Sequence, residues 1–299
     1  DNCFIFECSN LAAMYVGSVS QHGQNRHIRP TFMGSLPIRL HRLGKQNPGG
    51  LPGFNFGLAV CLAQQGWRRS AKAFVRRAGY SAGEVYEVPP LTEEGEAIVV
   101  WLHGVGDTGK GWSDSAPALQ QMGLPMLRFL FPTAPLRGVG SKGLKPSWYD
   151  VPTLDPDQIA RQPTPEGLLD GVDYVLGLVE PHVRRGIPPS RIFLVGYSQG
   201  GGLALAAGLR APRKLGGVLM LSSWVAEPLP SEFQEVPAVH LFHGAEDPVV
   251  PISTAQLGCQ RLEAVGLRTS FRAYPGMSHG VCDEEVAQLA QTFYEALRA

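Results

Sequence analysis

Apolar residues along the chain fall into short, dense runs separated by longer stretches where they recur every three or four positions. The runs over 97–102, 126–131, 192–195, 217–221, 238–242 and 269–274 are four to six residues long and rich in β-branched or aromatic side chains. That pattern predicts buried strands. Helical spacing appears over 113–121, in the Ala/Leu-rich stretch from Gly201 to Ala207, over 254–265 and over 284–297. It also appears where Leu168, Leu169, Val172, Val175, Leu176 and Val179 share one face. Pro181 is expected to kink or end that last helix early, because an interior proline costs about 3 kcal/mol. Residues 137–146, dense in Gly, Lys and Pro, read as a loop. Strands alternating with helices specify α/β architecture, a mostly parallel central sheet with helices on both faces. The 222–236 segment between two strands is too short for a separate cap domain, which leaves the carboxyl edge of the sheet open.

The first part of the chain lacks this pattern. Residues 1–83 show no sustained period, and breakers recur at Pro30, Gly34, Pro37, Pro48-Gly49-Gly50 and Pro52-Gly53. Ten Lys/Arg side chains stand there against only Asp1 and Glu7, leaving 16 basic and 24 acidic residues for the rest of a chain whose formal charge is zero. A basic, acid-poor, punctuated head is expected to be a disordered extension on a domain over 84–299. Its composition suits an organellar transit peptide or a translated upstream region. A nucleic-acid arm is disfavoured, since no aromatic residues interleave with the charges in a binding fold. The whole chain of 299 residues, 44% hydrophobic and 17% charged, fits a globular protein. Five scattered cysteines without metal-type spacing read as reduced thiols, hence a cytoplasmic protein, or an organellar one if the head is a targeting segment. No run of 18 apolar residues is present to span a membrane.

The densest chemical signal is Gly196-Tyr197-Ser198-Gln199-Gly200, set between an expected strand and an expected helix. A serine flanked by glycines at that junction has the form of a nucleophile elbow, although a serine there could simply cap the helix. Two further strands end in polar loops. The strand 238–242 leads to His243-Gly244-Ala245-Glu246-Asp247-Pro248, and 269–274 to Pro275-Gly276-Met277-Ser278-His279. Taken singly, Asp247-Pro248 is a turn starter and His279 a solvated bystander. Together they stand in the order Ser, Asp, His expected of an α/β-hydrolase, each after its own strand. Ser198 is then the nucleophile, His279 its general base, and Asp247, rather than the adjacent Glu246, the group that orients the imidazole. The developing oxyanion needs two donors. One is the Gln199 N–H at a helix start, and the other is assigned to the Val105 N–H in the loop Gly104-Val105-Gly106. His240 and His243 are three apart on a strand and so face opposite sides; no metal and no organic cofactor are expected.

Several blocks resemble the acyl-protein thioesterase/lysophospholipase family of carboxylesterases. They are His103-Gly104-Val105-Gly106-Asp107-Thr108-Gly109, Pro132-Thr133-Ala134-Pro135, Ser147-Trp148-Tyr149-Asp150, the Ser198 elbow, Leu221-Ser222-Ser223-Trp224, and the loops carrying Asp247 and His279. The resemblance covers about residues 95–298. It implies a capless α/β-hydrolase that cleaves thioesters of acylated protein cysteines, monoacyl lipids or simple esters through an acyl-enzyme. It places Ser198, Asp247 and His279 in a triad with Val105 and Gln199 at the oxyanion hole. Trp224 would flank the acyl pocket or serve as a core aromatic, and transient contact with a membrane surface is compatible with such substrates. One departure concerns the segment before Ser147. In relatives that accept long chains it is mostly apolar, whereas here residues 138–146 are glycine-rich and basic, with only Val139 and Leu144 apolar. Each buried methylene is worth about 0.8 kcal/mol, so a thin apolar wall favours shorter acyl groups. The alternatives are therefore a carboxylesterase for short soluble esters and, in another class, a non-catalytic receptor that keeps the pocket.

Overall fold

In a computed structural model of the chain, residues 80–92, 94–151, 153, 165–226, 229–230 and 235–299 are described. All of them fall within one compact unit. The expected extension lies outside the described residues, apart from its last four. Residues 80–83 pack on the domain: Gly83 N–H donates to Thr133 O at 2.9 Å, and the Tyr80 hydroxyl donates to Trp148 O at 3.1 Å. Part of the 222–236 segment is also outside the described residues.

Seven strands form the sheet: β1 (Val85–Val88), β2 (Ala97–Leu102), β3 (Leu127–Pro132), β6 (Ile192–Tyr197), β7 (Gly217–Leu221), β8 (Val239–Gly244) and β9 (Thr269–Tyr274). A small ribbon of β4 (Leu136–Gly138) and β5 (Leu144–Pro146) interrupts the series. Spatial order is β1-β3-β2-β6-β7-β8-β9, parallel throughout except for the antiparallel edge pair β1–β3. Helices α1 (Ser115–Gln121), α2 (Leu168–Arg184), α3 (Gln199–Gly208), α4 (Ile252–Ala264) and α5 (Asp283–Arg298) cover it.

Strand alternation divides the core in two. Ile98, Val100, Leu102, Ile192, Leu194, Val218 and Met220 join α2, α3 and α4 in one apolar cluster. Ala97, Val99, Trp101, Phe193, Val195, Leu219 and Leu221 join α1 and α5 in the other. Because successive side chains point to opposite faces, a central strand buried on both faces must be apolar at every position, and β2 is.

Two expectations need correction, and one strand was not expected. The helix α2 runs through Pro181 to Arg184 rather than ending there. Proline forfeits the bond to the residue four back, Gly177, but its own carbonyl still accepts Arg185 N–H at 3.1 Å, so the last turn closes. The 137–146 stretch is not a plain loop. Gly140 and Gly143 take positive φ (47° and 76°) to reverse the chain, and Val139 N–H donates to Gly143 O at 3.0 Å, closing the β4–β5 ribbon. Strand β1, too short to show a pattern of its own, is recruited by pairing with β3.

Candidate active site

The turn after β6 explains its glycines by space alone. A Cβ on Gly196 would lie 2.1 Å from Gly200 O, and one on Gly200 would lie 2.2 Å from Leu102 O. Neither position admits a side chain, because the opposing atoms are backbone. Between them Ser198 adopts φ 52° and ψ −121°, a conformation that costs of order 1–3 kcal/mol in a non-glycine residue. The backbone is held there by Ser198 N–H donating to Leu221 O at 2.8 Å and by Ser223 Oγ donating to Ser198 O at 2.6 Å.

Strain at that position aims the hydroxyl away from the helix. Ser198 makes no side-chain cap on α3. Its Oγ lies 3.1 Å from His279 Nε2 instead, and His279 Nδ1 lies 2.8 Å from Asp247 Oδ2. Asp247 Oδ1 accepts Val249 N–H at 2.8 Å and Val250 N–H at 2.9 Å. Burial raises the Asp247 pKa, but the His279 bond and charge and the two amides outweigh it, so the carboxyl is held below its ordinary value. The anionic aspartate therefore fixes the proton on His279 Nδ1, leaving Nε2 free to accept from the serine. Glu246 takes no part in this chain; its Oε1 accepts Gly276 N–H at 3.2 Å on the surface.

These three side chains come from loops at the carboxyl ends of β6, β8 and β9, where parallel sheets place their sites. Gly244 makes the approach possible, since a Cβ there would lie 2.3 Å from Met277 O and 2.4 Å from Ser278 O. Ala245 N–H donates to Tyr274 O and Glu246 N–H to Met277 O, both at 3.0 Å, locking the acid loop to the histidine loop. The Val105 loop arrives from β2. A Cβ on Gly104 would lie 3.3 Å from Ser198 Cβ, so that backbone passes directly against the serine. Gln199 is the first residue of α3, at the positive end of the helix dipole.

Residues 84–297 match the phospholipase/carboxylesterase family. The chain belongs to that family. The acyl-protein thioesterase 1 of Gibberella zeae is 34% identical over 212 residues, spanning 67% of this chain and 90% of that protein. A probable carboxylesterase of Oryza sativa subsp. japonica is 34% identical over 212 residues, with 68% and 89% covered. Among solved structures, Arabidopsis thaliana SOBER1 superposes with a TM-score of 0.60 at 28% identity, over 68% of this chain and 99% of that one.

Within this esterase several polar residues near the triad escaped the sequence. His103 is fully buried; its Nε2 accepts Ala134 N–H at 3.0 Å, so Nδ1 carries the proton and donates to Gly104 O at 2.6 Å. Burial lowers its pKa despite the Gly104 bond and the Asp107 charge, keeping the ring neutral. His243, buried, lies 2.8 Å from Val250 O and 3.4 Å from Asp247 Oδ2. Ser222, also at positive φ (46°), donates from Oγ to Gly280 O at 3.2 Å, bracing the residue after His279. Ala134 lies 31 positions from His103 and Gly280 58 from Ser222, and no local motif announces those contacts. Of the two expected acyl contacts, Trp224 is buried in the α2–α3–α4 core cluster, and Leu144 stands 69% exposed on β5.

Proposed function

We propose that Ser198, His279 and Asp247 carry out acyl transfer to water from esters and thioesters. The observation that carries this reading is the position of His279, which bridges Ser198 Oγ and the Asp247 carboxylate. In the first half-reaction His279 Nε2 takes the Ser198 proton as Oγ bonds to the acyl carbon. The carbonyl oxygen becomes an oxyanion facing the Val105 and Gln199 amides. Collapse breaks the bond to the alcohol or thiol leaving group, which takes the proton from His279. Water then repeats the sequence on the acyl-enzyme, releasing acid and free serine.

The substrates proposed are acylated protein cysteines, monoacyl lipids and simple esters, as the names of the thioesterase and carboxylesterase relatives suggest. With Trp224 packed in the core, the exposed Leu144 on the β4–β5 ribbon is the apolar side chain assigned to meet the acyl chain. A thin, basic, glycine-rich ribbon favours a second reading, an esterase for short acyl groups. No helix among the described residues is long and apolar enough to cross a membrane. The free thiols of Cys259 and Cys282 suit a cytosolic setting.

A fluorophosphonate probe should label the protein, and Ser198→Ala should abolish labelling. An unlabelled, folded parent protein would point to a receptor. A ladder of esters and thioesters from two to sixteen acyl carbons then separates the substrates. A rate maximum below about six carbons would reject the depalmitoylating reading in favour of the short-chain esterase.

A further inference from the structure

We infer that the side-chain amide of Gln199 is a positioning residue that sets the distance between the two oxyanion donors; the inference rests on the acyl-transfer reading above. Gln199 is fully buried, and its amide points away from the site into the strip 146–149. Its Nε2 spends both hydrogens there, one on Tyr149 O at 2.7 Å and one on Ser147 Oγ at 2.9 Å. Ser147 Oγ is free to accept because its own proton goes to Tyr149 O at 2.7 Å. Gln199 Oε1 accepts Trp148 N–H at 2.9 Å. The Tyr149 hydroxyl returns a bond to Gln199 O at 3.3 Å. Two donors and an acceptor in one plane are what a carboxamide supplies and what neither a carboxylate nor a thioether can.

The same strip holds the other donor loop. Pro146 O accepts Gly106 N–H at 2.8 Å, and Trp148 Nε1 donates to His103 O at 2.8 Å. With His103 Nδ1 bonded to Gly104 O, the backbone is fastened on both sides of Val105. The Val105 and Gln199 amides therefore do not sit on independent loops. Both are tied to residues 146–149, and on the Gln199 side the tie is the carboxamide. Oxyanion stabilisation demands donors aimed at a point in space, and removal of a single donor costs 10²–10³-fold in kcat in well-studied cases. Loosening the tie should cost part of that.

The test is Gln199→Met, which keeps volume and the backbone N–H but deletes the amide. Turnover of p-nitrophenyl butyrate is measured per active site, counted by end-point fluorophosphonate labelling, beside the affinity for an alkyl trifluoromethyl ketone. Because the donors act on the transition state, kcat per labelled site should fall roughly 10–100-fold with KM within about twofold. Affinity for the ketone, whose serine adduct carries the oxyanion, should fall in parallel. If Gln199→Met does not fold, Ser147→Ala decides. It removes one of the two acceptors of the Gln199 Nε2 hydrogens and keeps the backbone of the strip, and a loss of roughly 3–10-fold in kcat with KM unchanged is expected. A value within twofold of the parent per labelled site overturns the inference, even if thermal stability drops. Absence of labelling or hydrolysis in the parent would sink the acyl-transfer reading itself, which is a separate result.

Discussion

Glu285 illustrates how one side chain can weigh on the whole domain without touching the chemistry. It is fully buried at the start of α5, and neither carboxylate oxygen meets a well-formed hydrogen bond among the described residues. Burial pushes its carboxyl up to about 8, against the Cys282 N–H, which pulls the other way. Tyr274, whose buried hydroxyl is likewise unpaired among the described residues, and Cys282 face it, and neither supplies a positive charge. The folded pKa lies above the ordinary value of 4.5, so between those values the native state holds a proton that the unfolded chain has released. Stability from this group is complete below about 4.5 and is lost as pH rises toward 8. Glu285→Gln should therefore stabilise the protein at pH 8 by on the order of 3 kcal/mol and much less at pH 5, read as the difference in Tm between variant and parent. Equal Tm shifts at both pH values would refute the assignment. The sequence shows a glutamate at the third position of a helix, an ordinary capping residue; its burial is the work of β9, whose tyrosine packs over it.

At the scale of elements, the glycines fall into two groups that a sequence cannot sort. Gly200 is excluded from carrying a side chain by the backbone of β2, whereas a Cβ on Gly177 of α2 would meet nothing within 4 Å. Gly200→Ala is expected to abolish soluble folded protein, or to lower stability by more than about 3 kcal/mol. Gly177→Ala should raise stability by about 0.5–1 kcal/mol through helix propensity alone. Chemical denaturation of the two variants checks both. The element pattern itself was legible: strands β2, β3, β6, β7 and β8 were apparent as dense apolar runs, because buried parallel strands must be largely apolar on both faces, and the half-exposed edge strand β9 was apparent from its alternating Thr269, Phe271 and Ala273. The β4–β5 ribbon and β1 were not, because three or four residues carry no period and their pairing partners decide their state. The continuation of α2 past Pro181 has a related reason. Propensity forbids it in an isolated helix, but the buried face of α2 against α3 holds the last turn in place.

Over the whole molecule, residues just ahead of the recognisable domain turn out to brace its centre. The Tyr80 ring lies 5.3 Å from that of Tyr174 and beneath the Arg137 guanidinium, and its hydroxyl reaches Trp148 O. Trp148 is also the residue that ties His103 to Gln199. In the full chain, Tyr80→Phe should cost about 1 kcal/mol of stability by loss of one hydrogen bond, and Tyr80→Ala distinctly more, seen in the midpoint of urea unfolding. Identical midpoints for parent and Tyr80→Ala would show that the brace carries no load.

Sequence by itself determined the order of the longer strands and helices and singled out Ser198, Asp247 and His279 as candidates, because each signal is local: an apolar run, followed by a short polar motif at its end. Only the tertiary structure decided that the Gln199 side chain and the His103 backbone are fastened to residues 147–149. It also decided that Glu285 is buried where neither carboxylate oxygen meets a well-formed hydrogen bond among the described residues. The first of these depends on atoms from segments 30 or more residues apart meeting at hydrogen-bond distance, as Gln199 and Tyr149 do across 50 positions and Trp148 and His103 across 45. Burial and pairing of that kind are properties of packing, and packing is set when the sheet brings its loops together at one edge.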